Sequence, residues 1–430
     1  MPQRCVAIAF LSGAALAFTL AAAATARADE PTSVHQGPNE RRILRHEPMR
    51  PLISERARPG RSSAADPAPP TALAFNAFQR RFEVVLEPND QLLAGWSEAA
   101  RSQLEGVRVY RGELAGTPGS WVRLVERDGG WTGMIWDGVE LYAIDRTRDL
   151  GDTLADVTEG EANVVYRMAD VEHAEPTHCG VDPDAPRMEE GDERPSRYGA
   201  LREELSSLQA LTATAGSLLE VSVVADADYV AIHGSESAAA VVARMNIVDG
   251  IFAEQVDVTL RLAEIQTLAS NGSLTATGAS ALLSQFSIFT NQGNVSNPGL
   301  AHLFTGRNLS GSTVGIAYLG TLCSRAFGVG LSETRFGGTS GSLTIAHEIG
   351  HNFDAPHDNQ SGSPCAGTPG NFLMNPSLNG SDDFSSCSLQ QMAPEIAGAS
   401  CVVPLPEPPG VISLALGAAA LGFLARSRRA

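Results

Sequence analysis

Apolar residues recur at two different periods along this chain, and the change from one to the other divides it. Between about residues 75 and 167 they come in short strand-like runs, Phe82-Glu-Val-Val-Leu86, Val107-Arg-Val-Tyr110, Trp121-Val-Arg-Leu-Val125 and residues 131–135, interrupted by Pro-Asn-Asp, Thr-Pro-Gly-Ser and Asp-Gly-Gly. Such runs, broken by turn-forming residues, predict strands, so this part reads as an all-β domain. From about residue 218 the pattern mixes: Leu219, Val221 and Val223 alternate with Glu220 and Ser222, and then Val241, Met245, Val248 and Phe252 recur at helical spacing. Val256, Val258, Leu260 and Leu262 return to alternation, Leu282, Phe286 and Phe289 mark a second amphipathic helix, and residues 313–323 read as a buried or edge strand. Helices alternating with strands indicate an α/β layer structure. Residues 29 to about 72 are rich in Arg, Pro and Ser with little periodicity, and disorder is expected there. Residues 182–216 begin acidic and Pro-containing, then carry a helical patch at about 200–210.

With 430 residues the chain can hold two or three domains, each with its own core. Net charge is −18 with no Lys- or Arg-rich block, which argues against nucleic acid as a partner. The N-terminus reads as a secretory signal: Arg4, an apolar run over residues 6–24, then Ala26-Arg27-Ala28 as a cleavage site for signal peptidase, with Cys5 lost on removal. The C-terminus carries a second apolar stretch, residues 411–425, followed by Arg426-Ser-Arg-Arg-Ala430; it is short for a transmembrane helix but compatible with a tilted one. The expected division is 1–28 signal peptide, 29–72 disordered linker, 73–170 β-rich domain, 171–215 activation linker, 216–402 catalytic domain and 403–430 C-terminal segment. The body of the protein is expected in an exported compartment.

Chemistry concentrates in Thr344-Ile-Ala-His-Glu-Ile-Gly-His-Asn-Phe-Asp-Ala-Pro-His-Asp358. His347 and His351, four apart on a helix, project from one face and can reach a single Zn2+ ion. Glu348 follows the first histidine, which aims its carboxylate beside the metal as general base for an attacking water. His357 would fall on the wrong face of an unbroken helix, so the chain must turn before it. Pro356 and Asp354 supply that turn, Asp being one of the few side chains that tolerate a left-handed backbone.

This run resembles the H-E-x-x-H-x-x-G-x-x-H motif of the metzincin metallopeptidases, with Asp354 where Gly is usual, and within them the adamalysin or reprolysin branch. Met374, in Asn371-Phe-Leu-Met-Asn-Pro-Ser377, resembles the Met-turn beneath the metal. The resemblance implies an α/β metzincin catalytic domain, with a twisted mostly parallel sheet, zinc helix and Met-turn, preceded by a mostly β propeptide domain. It implies a third ligand in His357 and protein or peptide substrates paired to the strand near residues 315–324. Without Cys5 five cysteines remain, and the odd one, Cys179 in Glu175-Pro-Thr-His-Cys-Gly-Val181, looks like the reprolysin cysteine switch, an inhibitory zinc ligand in a proenzyme. A plain unpaired or intermolecular cysteine is the alternative. The family pattern implies bridges Cys323–Cys401 and Cys365–Cys387, although sequence alone permits three pairings of those four. Of the family's calcium ligands, Glu220 stands at one position but Gly299 where an Asp is expected, which puts structural Ca2+ in doubt. Arg194 and Arg197 are candidate activation cuts. Pro404-Leu-Pro-Glu-Pro-Pro-Gly410, the apolar segment and the terminal arginines resemble the PEP-CTERM sorting signal of Gram-negative bacteria, which implies an exosortase-like partner and the cell envelope or exterior. The expected function is a secreted zinc endopeptidase made as a latent proenzyme. The alternatives are a non-catalytic metzincin-fold surface or matrix protein and a zinc amidase acting on cell-wall substrates.

Overall fold

A computed structural model describes residues 41–55, 71–155, 162–173, 176–180, 216–296, 298–335 and 338–405. The expected signal peptide, much of the expected linker, the candidate cuts at Arg194 and Arg197, the expected helical patch at 200–210 and the C-terminal apolar segment lie outside the described residues. Among the described residues no helix is long and apolar enough to cross a membrane.

The N-terminal part is built from strands β1 (Arg41–Ile43), β2 (His46–Pro48), β3 (Ile53–Glu55), β4 (Thr71–Ala77), β5 (Arg80–Pro88), β6 (Arg108–Leu114), β7 (Trp121–Arg127), β8 (Gly130–Trp136), β9 (Leu141–Arg146), β10 (Asn163–Arg167) and β11 (Val171–His173). Nine of them form one antiparallel sheet in the order β2-β10-β9-β8-β7-β6-β5-β4-β3. Strand β5 shows why: Phe82, Val84 and Leu86 are buried while Arg81, Glu83, Val85 and Glu87 between them are exposed. One face closes over Phe75, Phe82, Val122, Leu124 and Tyr142, with Phe75 and Phe82 stacked at 4.8 Å. Trp121, Val125 and Met134 belong instead to a core continuous with the C-terminal part.

The expected disorder at 29–72 is corrected for residues 41–55 and 71–72. Strand β1 pairs with β11, β2 with β10, and β3 with β4, while Ile43 and Met49 are buried. Edge strands are recruited by backbone pairing and need few apolar residues, so this Arg-rich stretch carries no visible alternation.

The second part contains β12 (His178–Cys179), β13 (Ser217–Ala225), β14 (Val258–Thr267), β15 (Leu300–Thr305), β16 (Thr313–Ala317), β17 (Val329–Glu333) and β18 (Val403–Pro404). Its sheet runs β12-β16-β17-β15-β13-β14, with β18 paired to the start of β13. Strands β14, β13, β15 and β17 are parallel and β16 is antiparallel to β17, so the sheet is mostly parallel as expected. Helices α1 (Ala227–His233), α2 (Ser237–Val256), α3 (Ala279–Asn291), α4 (Gly341–Asn352) and α5 (Ser386–Gly398) accompany it. Helix α2 is buried nearly all round because the β7 side of the N-terminal sheet covers it, with Arg123 and Trp121 against Gly250 and Asn89 donating to Asn246 and Asp249.

The strand expected over 313–323 ends at Ala317. Beyond it the backbone turns to serve the end of α4: Gly320 N donates to His351 O (2.9 Å) and Thr321 N to Asn352 O (3.0 Å), satisfying carbonyls a helix C-terminus leaves open.

Candidate metal centre

Helix α4 carries His347 and His351 one turn apart and stops at Asn352. Asp354 then adopts φ 72°, the left-handed conformation expected of it, and its N–H and that of Ala355 return to His351 O (2.8 Å) and Gly350 O (3.0 Å). This reversal brings His357 back over the helix. The three Nε2 atoms stand 3.1 Å (His347 and His351), 3.2 Å (His351 and His357) and 3.3 Å (His347 and His357) apart. Each Nδ1 donates outward, to Leu373 O (2.7 Å), Ala355 O (2.7 Å) and Gln360 Oε1 (2.5 Å) for His347, His351 and His357. All three nitrogens facing the centre are therefore lone-pair donors. Burial keeps the rings neutral, lowering His347 to about 3, His357 to about 4 and His351 well below the ordinary imidazole range.

Cys179 completes the cluster, its Sγ 3.4 Å from His351 Nε2, and the four ligand atoms lie within 4.8 Å of one another. Cys179 takes no part in either disulfide and is held by its backbone. His178 N donates to Ser312 O (2.9 Å), Gly180 N to Gly315 O (2.8 Å), Cys179 N to Pro376 O (2.9 Å), and Leu378 N to Thr177 O (3.2 Å). Residues 177–180 thus run between β16 and the 376–378 wall, and β12 is the strand that covers the sheet edge. Three neutral imidazoles and one thiol at these separations fit a four-coordinate zinc ion, with nitrogen ligands at about 2.0–2.1 Å and sulfur at about 2.3 Å.

Glu348 is buried beside them, Oε2 3.4 Å from Cys179 Sγ and Oε1 without a hydrogen-bond partner among the described residues. Burial raises its pKa well above the usual carboxylate range. The backbone of β16 can lie this close only because residue 315 is glycine: a β-carbon there would collide with the Glu348 carboxylate.

Beneath the helix, Met374 packs against Gly350, and its carbonyl accepts from Asp358 N (2.9 Å). Asp358 in turn accepts from Ser385 Oγ at the start of α5 (2.8 Å). Bridges Cys323–Cys401 and Cys365–Cys387 are both present. His178 Nδ1 meets Ser377 Oγ (2.8 Å) and His302 Nε2 meets Ser332 Oγ (2.9 Å), so neither joins the cluster. Gln360 and Ser385 were not singled out by the sequence, where a polar residue in a loop gives no periodic signal. Glu220 Oε1 accepts from Arg261 at 2.8 and 3.1 Å, and a side chain at Gly299 would press on Glu220 O at 2.6 Å.

The four ligand atoms form a cluster that could hold a metal ion. Residues 217–385 match the family model Reprolysin_5, metallo-peptidase family M12. The chain is 30% identical over 178 residues to mouse "A disintegrin and metalloproteinase with thrombospondin motifs 20" and 33% over 107 residues to human "Disintegrin and metalloproteinase domain-containing protein 9". It is 30% identical over 216 residues to mouse "A disintegrin and metalloproteinase with thrombospondin motifs 18". The aligned stretches cover 37%, 23% and 45% of this chain but only 9%, 12% and 17% of those proteins. Residues 217–385 are thus similar to metallopeptidase domains of the reprolysin type, and the His/Cys cluster and mixed sheet are consistent with such a domain.

Proposed function

We propose that this protein is an exported zinc endopeptidase made as a latent precursor, with His347, His351 and His357 as zinc ligands and Glu348 as general base. The observation that carries this reading is the meeting of three imidazole nitrogens at one point, with the buried Glu348 carboxylate beside them. Bound zinc would lower the pKa of water and polarise the scissile carbonyl. Glu348 takes the proton of the attacking water and passes it to the leaving nitrogen. The extended substrate lies along β16, where the backbone groups at Ser312 and Gly315 now serve residues 178–180. Cys179 in the fourth ligand position, with its strand on the substrate edge, gives two reasons for latency. Met374 forms the floor under the zinc helix in the manner of a Met-turn.

In this reading residues 1–28 direct export and are removed by signal peptidase, 73–170 form the propeptide, and 171–215 carry the inhibitory cysteine and the activating cut. Residues 216–402 form the peptidase. The Pro-Glu-Pro segment, apolar run and terminal arginines retain the chain at a Gram-negative cell envelope until an exosortase-like enzyme acts.

Cleavage of a peptide library by the purified chain, nicked between residues 181 and 215 and then separated from its N-terminal fragment, tests the mechanism against Glu348→Ala treated identically. Loss of the base should lower turnover about 10²–10⁴-fold. Equal turnover by the two would end the proposed mechanism.

A further inference from the structure

Two of the three metal-facing imidazoles are oriented by backbone carbonyls, those of Leu373 and Ala355, which the fold fixes in place. The third is not. His357 lies beyond the helix, after the left-handed turn at Asp354, and its Nδ1 is met by a side chain, the Gln360 amide oxygen at 2.5 Å. We propose that Gln360 is the positioning residue for the third zinc ligand, fixing the tautomer and ring orientation of His357. The inference rests on the zinc reading given above and concerns a residue outside the motif.

The chemistry is directional. An amide oxygen only accepts, so it keeps the hydrogen on Nδ1 and leaves Nε2 with the lone pair that ligation uses. Were the amide turned over, its NH2 would donate to Nδ1 and force the hydrogen onto Nε2, toward the metal. The loop that carries Gln360 is tightly closed: Ser363 N donates to Gln360 O (3.1 Å), Asn359 N to Cys365 O (3.2 Å), and Ser363 Oγ to His357 O. The Cys365–Cys387 bridge then ties the loop to α5. His357 is buried and Gln360 only half-buried, so a substitution at 360 can alter the hydrogen bond without opening the core.

The test is zinc affinity of the full chain, measured by competition with a chelator, together with the visible absorption of the Co2+-substituted protein. Gln360→Ala should weaken zinc about 10–100-fold, the usual effect of removing a group that hydrogen-bonds a ligand, and broaden the Co2+ bands while the metal-free unfolding midpoint stays put. Gln360→Glu should restore affinity to the wild-type level or above, because a carboxylate accepts through either oxygen. Wild-type affinity in Gln360→Ala, or affinity in Gln360→Glu as weak as in Gln360→Ala, would overturn the proposal. A wild-type chain that takes up no zinc would overturn the zinc reading itself, a separate result.

Discussion

Gly350 lies between the two helical histidines, and a β-carbon there would stand 2.8 Å from Met374 Sδ and 3.0 Å from Phe384 Cε1. Gly350→Ala is therefore expected to destabilise the fold by about 1–3 kcal/mol through overpacking, seen as a lower thermal midpoint. Gly315→Ala should act differently, pushing the Glu348 carboxylate aside rather than loosening the core. Turnover should fall about 10²-fold or more with zinc content unchanged, the effect of displacing a reacting group by about 1 Å. A variant that lost zinc and activity together would refute this division of roles. At this scale the sequence was informative where chemistry follows chain spacing. The pair His347 and His351, the adjacent Glu348 and the turn at Asp354 could be read directly, because helical period and backbone tolerance are local properties. Gln360 and Ser385 could not: each earns its role from a turn or a packing contact that brings it to a partner with no fixed spacing.

Among the elements, the helices α2 and α3 and the strands β5, β7, β13 and β14 fall where apolar periodicity places them, although only α3, β5 and β14 bury a single face while α2, β7 and β13 are covered on both sides. Elements made by pairing alone were invisible. Strands β1 to β3, β12 and β18 are two or three residues long, and none has room for a pattern. The 313–323 run misled for the opposite reason: it is largely apolar, yet its second half leaves the sheet to cap α4. Cys323 in that loop is bridged to Cys401, 78 residues on, which fastens the region after β16 to the segment between α5 and β18. Replacing both cysteines by serine should cost about 2–5 kcal/mol, read as a lower thermal midpoint than the wild type under non-reducing conditions. An unchanged midpoint would mean that packing alone holds this corner.

For the molecule as a whole, two buried carboxylates mark where the N-terminal sheet meets the catalytic part. Asp145 of β9 accepts from Tyr166 and from Thr339 just ahead of α4, and burial pushes its pKa up to about 6. Asp382 is raised to about 7, first by burial and then by neighbouring Asp383, with the Trp121 side chain bonded to it. Both values exceed the unfolded carboxyl near 3.8, so both groups hold protons more tightly when folded. Their contribution is complete below about pH 4 and is lost as pH rises through 6 and 7. The wild-type midpoint should therefore fall relative to that of Asp382→Asn between pH 5 and pH 8, and parallel curves would contradict the assignment. The apolar interior runs unbroken from Ile43 through Trp121 and Val248 to Met392. Snipping the backbone between residues 181 and 215 would leave that interior in place. The two fragments should migrate as one species on a sizing column and part only in denaturant, so that nicking and liberation are separate events in this molecule's life.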